Sequence, residues 1–259
     1  MRKKTEFPET EEVLFMQDSI PQNIGWALQR TYEFVRMMSY YRCAMMSVET
    51  KLNVLNEEFS LRFDRQPINS IKTRLKNPLS IQEKLIRKNL PLTVESIETN
   101  LHDIAGIRVI CSFVDDVYAI ADTLLKQDDI HLLERKDYIA SPKPNGYRSL
   151  HLIVEVPIFL EREKRLMKAE IQLRTIAMDS WASLEHQLRY KKDNQIDEQM
   201  NEEIRACADL SAALDEKMNQ LKHQMELNTM DEEDKRQKEL LRIQCMMESK
   251  YSQHNQSKL

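Results

Sequence analysis

The chain has 259 residues, of which 41% are hydrophobic and 31% are charged, and its formal net charge at neutral pH is −4. This composition is sufficient for a hydrophobic core and excludes a generally basic nucleic-acid-binding protein. No hydrophobic run approaches the roughly 20 residues that span a bilayer, and the charged N-terminus lacks a signal-peptide core, so we expect a soluble, cytoplasmic protein with no membrane partner.

Residues 1–66 are predicted to form an N-terminal helical region after a loose polar start. Neither glycine nor proline occurs between Ala27 and Gln66. Apolar residues recur there at intervals of three and four, at Met45, Val48, Leu52, Leu55 and Phe59. Because this spacing places them on one face of a helix, one long helix or a close pair is predicted, ended by Pro67.

The next segment, SIKTRLKNPLSIQEKLIRK, is strongly basic within an acidic chain. Its cations are Lys72, Arg74, Lys76, Lys84, Arg87 and Lys88, against the single acid Glu83. Pro78 is predicted to begin a helix on which Lys84 and Arg87 lie one turn apart and face the same way. Such a patch suits a polyphosphate. A solvated basic helix, or a contact with RNA, is the alternative interpretation.

The segment HDIAGIRVICSF combines a carboxylate with a predicted strand. Residues 106–113 form a compact apolar, β-branched run, which predicts a strand that Arg108 opens and in which Cys111 is a buried free thiol. Asp103 lies just before this strand and could bind Mg²⁺, a hard cation that takes oxygen ligands. Taken alone, Asp103 is better explained as the cap of a loop or turn.

A helix with an acidic first turn is predicted over 115–126, followed by the turn segment KPNGYRSLH and a strand over 150–158. Asn145–Gly146 is a strong turn signal, and a plain hairpin would explain it. Lys143, Tyr147 and Arg148 nevertheless crowd around this turn, with His151 just beyond. Tyr147 offers a flat face for stacking on a base, and the cations suit phosphates.

The segment KAEIQLRTI, residues 168–176, alternates as a strand does. Glu170, Gln172 and Arg174 therefore share one face, and a solvent-facing strand with an ordinary ion pair is the alternative to a ligand site. A helix is predicted over 177–192, with Trp181, Leu184 and Leu188 as its core stripe.

The C-terminal part, from about Asp197, is almost free of helix breakers and is predicted to be helical. An apolar seam runs along it, formed by Leu210, Leu214, Met218, Leu221 and Met225. This seam indicates either a partner-helix surface or packing against the chain's own core. The polar tail beyond Met247 is predicted to be disordered.

Taken in order, these segments resemble the synthetase domain of the RelA/SpoT family, most specifically in DIAGIR, NGYRSLH and EIQLRT followed by W-x-x-x-E-H. The resemblance runs from about Ile71 to Lys191. It implies an α+β fold with a nucleotidyltransferase-like mixed sheet flanked by helices, with the synthetase core at 67–195 and a C-terminal helical extension at 196–259. The roughly 70 residues before the basic patch are too few for the hydrolase domain of the long family members, so the small alarmone synthetases are the expected relatives.

The resemblance implies an enzyme that transfers pyrophosphate from ATP to the 3′-hydroxyl of GDP or GTP, giving (p)ppGpp and AMP. In the family, arginines at the positions of Arg74 and Arg108 sandwich the adenine of ATP. Cations at the positions of Lys76, Lys84 and Arg87 hold its phosphates.

The resemblance assigns the chemistry at the reacting atoms to two carboxylates. Asp103 would hold Mg²⁺ on the ATP phosphates, with Glu170 as a second ligand and as the general base for the 3′-hydroxyl. On the acceptor side, Tyr147 would stack on guanine and Asp179 would accept from the guanine edge. The other residues implied in guanine-nucleotide binding are Lys143, Arg148, His151, Gln172 and Arg174.

The resemblance also implies a homo-oligomer, a tetramer with subunit contacts through terminal helices. Two other functions remain open from the residues themselves. One is another nucleotidyltransferase-like enzyme acting on RNA or on a small acceptor, and the other is a non-catalytic RNA-binding module. The preference among GMP, GDP and GTP is also open.

Overall fold

The computed structural model describes residues 31–63, 65–189 and 197–256, and within these ranges the chain divides into two compact units. The first unit comprises residues 31–109, 120–137 and 150–173, and the second comprises 110–119, 138–149 and 174–256. The helices of the described ranges are α1 (Thr31–Phe63), α2 (Pro78–Arg87), α3 (Val94–Asn100), α4 (Val114–Leu125), α5 (Ile176–Arg189) and α6 (Glu198–Gln256). The strands are β1 (Ile68–Leu75), β2 (Ala105–Cys111), β3 (His131–Asp137), β4 (Leu150–Phe159) and β5 (Lys164–Thr175). The α+β class is confirmed.

The first unit is built on one five-stranded sheet with the strand order β1-β2-β5-β4-β3. β4 is antiparallel to both β3 and β5, with His151 opposite Gln172 and Ile153 opposite Glu170. Along β5 the side chains alternate, so that Ile171 is fully buried while Glu170 is half-buried. The strand thus presents its polar residues on the face away from the apolar core.

Helix α1 packs against β1 and β4 in the first unit. Its buried stripe includes Met45, Val48, Leu52 and Leu55, as the spacing of apolar residues predicts. The basic segment divides into β1 and α2, and α2 begins at Pro78 as expected. Asn77 caps α2 by accepting a hydrogen bond from the Leu79 amide at 2.9 Å.

The second unit consists of the end of β2, the first turn of α4, the loop 138–149, the last residues of β5, and α5 and α6. α5 and α6 pack together around a small core formed by Trp181, Ala182, Ile204 and Ala208, with Tyr147 packed against it. The Trp181 Nε1 donates to the Ile204 carbonyl at 3.0 Å, which anchors α5 on the start of α6.

Two expectations differ from the structure, and three elements were not predicted. Leu184 and Leu188 were predicted as the core stripe of α5, but they are 57% and 53% exposed, because α6 covers the face that carries Met178, Trp181 and Ala182 instead. Disorder was predicted beyond Met247, whereas α6 continues to Gln256. The strands β1 and β3 and the short helix α3 were not predicted.

Of the remaining sequence predictions, the one for Cys111 is confirmed. Cys111 is a buried free thiol, and burial raises its pKa to about 12. The predicted loose start at residues 1–20 lies outside the described residues. None of the described helices combines the length and the hydropathy that a membrane crossing requires.

Candidate active site

A cavity of about 560 Å³ lies in the first unit, on the polar side of β1, β2 and β5. It is lined by four cations and two acids, namely Lys72, Arg74, Lys76, Arg108, Asp103 and Glu170, together with Thr73, Ser80, Gly106, Ile107 and Gln172. Its volume is in the range of small-molecule and cofactor sites. The excess of positive charge suits an anionic ligand of nucleotide size.

Asp103 lies directly before β2 and is held by two lysines. Its Oδ2 accepts hydrogen bonds from Lys76 Nζ at 2.8 Å and Lys84 Nζ at 2.6 Å. Burial raises the pKa of Asp103, but the hydrogen bonds and charges of the two lysines outweigh burial and hold that pKa below its ordinary value. The carboxylate is therefore ionised at neutral pH. Its Oδ1 is buried, and no hydrogen-bond partner for it exists within the described part of the chain.

Glu170 projects from β5 into the same cavity and has two different partners. Its Oε1 lies 3.1 Å from His151 Nδ1 on the neighbouring strand, and its Oε2 accepts from Gln172 Nε2 at 3.0 Å. Burial and the negative charge of Asp103 raise the pKa of Glu170, yet the contacts with His151 and Gln172 prevail and leave it lowered. Glu170 is thus an ionised, oriented carboxylate.

The donor set of this cavity fits a magnesium ion that arrives with a polyphosphate. Asp103 and Glu170 supply carboxylate oxygens, and the buried Oδ1 of Asp103 has an uncommitted acceptor position. Among the described residues there is no group of three or more His, Cys, Asp or Glu side chains placed to hold a metal. Mg²⁺ does not need one, because it commonly binds through one or two carboxylates plus substrate phosphates and water.

A second cluster of predicted site residues lies in the second unit, around Tyr147. Arg174 donates from one terminal nitrogen to the Tyr147 hydroxyl at 2.6 Å and from the other to Asp179 Oδ1 at 3.1 Å. The Lys143 Nζ lies 4.8 Å from the centre of the Tyr147 ring and 4.6 Å from that of Tyr138. Arg174 and Asp179 are buried, so this ion pair fixes the tyrosine from one side.

The turn that carries Tyr147 depends on glycine. The Gly146 amide donates to the Lys143 carbonyl at 2.8 Å, and Gly146 has a φ of 89°, which L side chains rarely adopt. The Asn145 side chain accepts from the Tyr147 amide at 3.2 Å and donates to Glu185 on α5 at 3.3 Å. The Asn-Gly turn is therefore tied to α5 as well as closed on itself.

Most of the site residues proposed from the sequence fall into one of these two groups. The cavity is lined by Arg74, Lys76, Asp103, Arg108, Glu170 and Gln172, and Lys84 and His151 contact its carboxylates. The second group holds Lys143, Tyr147, Arg174 and Asp179.

Two of the proposed residues lie elsewhere. Arg87 is an exposed residue in the last turn of α2 and does not line the cavity. Arg148 donates to the Ala208 carbonyl of α6 at 3.2 Å, and one of its nitrogens lies 3.8 Å from Asp209.

Several residues around these groups were not predicted. Lys72 and Thr73 line the cavity because their segment is a strand, and the alternation of Lys72 with Arg74 along β1 was the available signal. Tyr138 packs edge-on against Tyr147, with ring centres 6.1 Å apart. The sequence around Tyr138 has no pattern that indicates this contact.

The chain is similar to known proteins in both sequence and fold. Residues 73–195 match the family described as a region found in RelA / SpoT proteins. The chain is 43% identical over 186 residues to the GTP pyrophosphokinase YwaC of Bacillus subtilis, covering 72% of this chain and 89% of that protein. The crystal structure of small alarmone synthetase 2 from Bacillus subtilis superposes with a TM-score of 0.68 at 41% identity, covering 74% of this chain and 99% of that one. Small alarmone synthetase 1 from Bacillus subtilis, solved with its product pppGpp, superposes with a TM-score of 0.68 at 35% identity, covering 74% and 97%.

Proposed function

The chain belongs to the RelA/SpoT family, and on that premise we propose that it transfers pyrophosphate from ATP to the 3′-hydroxyl of GDP or GTP, giving (p)ppGpp and AMP. One observation above all carries this conclusion: two ionised carboxylates from distant parts of the sequence line a single cation-rich cavity. The relatives named as GTP pyrophosphokinases and alarmone synthetases supply the reaction class.

We assign ATP to the cavity of the first unit. Arg74 and Arg108 would contact the adenine, in keeping with the family, and guanidinium planes stack well on aromatic rings. Lys76 and Lys84 would hold the phosphates, since each is already positioned by Asp103. Arg87, which lies in the exposed last turn of α2, would contact the outer phosphates.

Asp103 and Glu170 would hold Mg²⁺, which neutralises charge on the transferring phosphates when it is bound. The pKa of each carboxyl is lowered in the folded chain, so both are ionised before substrates arrive. The uncommitted Oδ1 makes Asp103 the first ligand in this assignment.

Glu170 is our general base. It would accept the proton of the ribose 3′-hydroxyl as that oxygen bonds to the β-phosphorus of ATP, and the bond from this phosphorus to the bridging oxygen of AMP breaks. His151 and Gln172 contact separate oxygens of Glu170 and fix its orientation. A base held in one orientation loses less entropy on reaching the transition state.

The acceptor nucleotide is assigned to the second cluster. Tyr147 would stack on the guanine, and Asp179 would accept from its N1–H and N2–H edge. Lys143 lies over the face of Tyr147 and would reach the acceptor's phosphates. Arg174 holds Tyr147 and Asp179 in place. We assign Arg148 a supporting role, because its guanidinium is engaged by α6.

The assignment is tested by incubating the purified chain with labelled ATP and either GDP or GTP and identifying the products. We expect AMP together with a 3′-pyrophosphorylated guanosine nucleotide. A nucleotide added to RNA or to another acceptor would instead support the rival nucleotidyltransferase function. No turnover with intact nucleotide binding would support a non-catalytic module.

A matched pair of variants tests whether Glu170 is the general base. Glu170→Gln keeps the size of the side chain and removes its charge, so synthesis should fall by at least about 10²-fold. Glu155→Gln is the control, because Glu155 lies on the neighbouring strand β4 and does not line the cavity. Near-normal turnover in Glu170→Gln, with an unchanged circular dichroism spectrum, would remove Glu170 from this role.

The oligomeric state is a separate proposal. The seam on α6 is exposed, with Leu210 and Met225 each more than 70% accessible, which supports burial against a partner helix. We propose a homo-oligomer, a tetramer in keeping with the family. Light scattering after size exclusion measures its mass directly, and a monomer at micromolar concentration would contradict the proposal.

A further inference from the structure

The start of α6 makes a set of contacts in the second unit that the proposed reaction does not use. Ile204 and Ala208 pack on Trp181 and Tyr147, and the Ala208 carbonyl accepts from Arg148. A Cβ added to Gly146 would lie 2.5 Å from the Ala208 Cβ, so the turn and the helix are in their closest possible approach. This part of α6 is therefore seated directly on the loop that presents Tyr147.

Seven residues further along α6, Asp215 makes a buried contact of a different kind. Its Oδ2 accepts a hydrogen bond from Thr175 Oγ1 at 2.6 Å, and both residues are buried. Thr175 follows Arg174 directly in sequence and precedes the first residue of α5. A buried carboxylate is costly unless its interactions with the protein offset the loss of water, so this contact needs an explanation.

The same threonine hydroxyl also caps α5. Thr175 Oγ1 accepts from the Met178 amide at 3.1 Å, which is the bond that an N-cap side chain makes with the third residue of a helix. A hydroxyl has one proton and two lone pairs. Because Asp215 takes the proton, a lone pair is directed at the Met178 amide, and the start of α5 is fixed.

The first turn of α5 carries Asp179, which pairs with Arg174. Thr175 follows Arg174 in sequence and its hydroxyl caps the turn that carries Asp179, so Asp215 acts through this one side chain on both members of the ion pair beside Tyr147. Burial raises the pKa of Asp215, while the Thr175 hydrogen bond and the charge of Arg148 act against that rise.

We propose that Asp215 is a positioning residue for the acceptor nucleotide, acting through the Thr175 hydroxyl on the Arg174–Asp179 pair and on Tyr147. This inference rests on the proposed function for the assignment of guanine to Tyr147. It adds that acceptor affinity, and not ATP affinity, depends on a side chain of the C-terminal helix that touches neither substrate.

The test compares variants that remove or keep the Asp215 oxygen that accepts the hydrogen bond from Thr175. Asp215→Ala removes the oxygen, and we expect the KM for GDP to rise about tenfold while the KM for ATP changes less than about twofold. Asp215→Asn keeps an oxygen acceptor for Thr175 and should restore the KM for GDP to within about threefold of the wild-type value. Glu216→Ala is the matched control, because it removes an exposed carboxylate at the next position of α6.

A second pair of variants keeps the proposal testable if Asp215→Ala does not fold. Thr175→Val removes the hydroxyl with little change of shape, and Thr175→Ser retains it. Thr175→Val should raise the KM for GDP at least as much as Asp215→Ala, because it also removes the bond to the Met178 amide. The double variant should be no worse than Thr175→Val alone, and Thr175→Ser should behave as the wild type. Additive effects of the two substitutions would overturn the proposal.

Two further outcomes would also overturn it. One is an equal rise in the KM values for GDP and ATP, which indicates a general structural role. The other is a rise in the KM for GDP in Asp215→Asn as large as that in Asp215→Ala, because the asparagine side chain still has an oxygen that can accept the hydrogen bond from Thr175. Calorimetric titration of GDP, with magnesium and a non-hydrolysable ATP analogue present, separates this inference from the proposed function. Wild-type protein that binds GDP without turnover defeats only the function, whereas an unchanged GDP Kd in Asp215→Ala defeats only the inference.

Discussion

Substituting Gly146 by alanine measures how tightly α6 is seated on the turn that carries Tyr147. Two costs are expected from the structure. At a φ of 89°, a Cβ costs roughly 1–2 kcal/mol. The new Cβ would also lie 2.5 Å from the Ala208 Cβ, and overpacking of this kind costs about 1–3 kcal/mol. Gly146→Ala should therefore destabilise the protein by roughly 2–5 kcal/mol.

The second substitution, Ala208→Gly, separates these two costs. On its own it should cost about 2 kcal/mol, because glycine inside a helix costs about 1 kcal/mol and the buried methyl group of Ala208 contributes roughly 0.8 kcal/mol more. Combined with Gly146→Ala, it removes the atom that the new Cβ meets, so the double variant should recover most of the overpacking cost. It retains the backbone cost at Gly146 and the cost of Ala208→Gly itself.

Urea unfolding of the four proteins gives the coupling energy, which we expect to be about 1–3 kcal/mol in favour of the double variant. Gly106→Ala is the control, because its added Cβ would meet its nearest neighbour at an ordinary 3.4 Å. Costs that add to within about 0.5 kcal/mol would show that α6 does not rest on the turn, and the reasoning would fail.

Three other predictions concern separate parts of the molecule. Tyr147→Ala should raise the KM for GDP by roughly tenfold or more and leave that for ATP nearly unchanged, since stacking on a base contributes about 1–3 kcal/mol; steady-state kinetics that show equal increases would contradict the stacking assignment. Lys84→Met removes one of the two lysines on Asp103 and should raise the KM for ATP more than that for GDP; the opposite order would argue against the ATP assignment. Burial raises the pKa of Asp115, but the contacts of Asp115 with Asn219 and His223 outweigh burial and leave this pKa lowered in the folded protein. The ionised Asp115 therefore stabilises the fold above the ordinary pKa of 3.8, and this stabilisation is lost as the pH falls through the lowered pKa of the folded state. Asp115→Asn should therefore be less stable than the wild type at pH 7, with a difference that shrinks in urea titrations toward acid pH; a difference independent of pH would refute this.

How far the fold could be predicted depended on where each strand lies in the sheet. The central strands β2, β4 and β5 carry buried apolar runs or alternating patterns, and all three were predicted. β1 and β3 are the two edge strands, and most of their side chains are exposed, several of them charged. Edge strands need little apolar pattern because one face or one side meets water, so the sequence offered no apolar pattern that marks them.

The buried face of α5 shows a different limit. Trp181, Leu184 and Leu188 are spaced for one helical stripe, and that spacing favoured the prediction of a core formed by all three. Trp181 is buried, but the two leucines are not, because the position of α6 selects an adjacent stripe. Which of two neighbouring stripes is covered is a tertiary property that helical spacing alone does not determine.

In the candidate site, the kind of residue was predictable but its partner was not. The carboxylates, cations and tyrosine were chosen from local sequence and from the family resemblance. The partners of Asp103 come from 19 and 27 residues away, and the link from Thr175 to Asp215 spans 40 residues. Pairing over such distances is decided by the fold, which is why Asp215 gave no signal in the sequence.

The partners of the two carboxylates explain how a shared acidic site can stay ionised. Two nearby negative charges raise each other's pKa, and the charge of Asp103 acts on Glu170 in this way. Each carboxylate has its own compensating groups, lysines for Asp103 and His151 with Gln172 for Glu170, so neither depends on the other's partners. Loss of one set should therefore leave the opposite carboxylate ionised. The difference in partners also suits the two proposed roles, because the lysines that contact Asp103 can also bind arriving phosphates, whereas Gln172 orients Glu170 without placing a charge beside it.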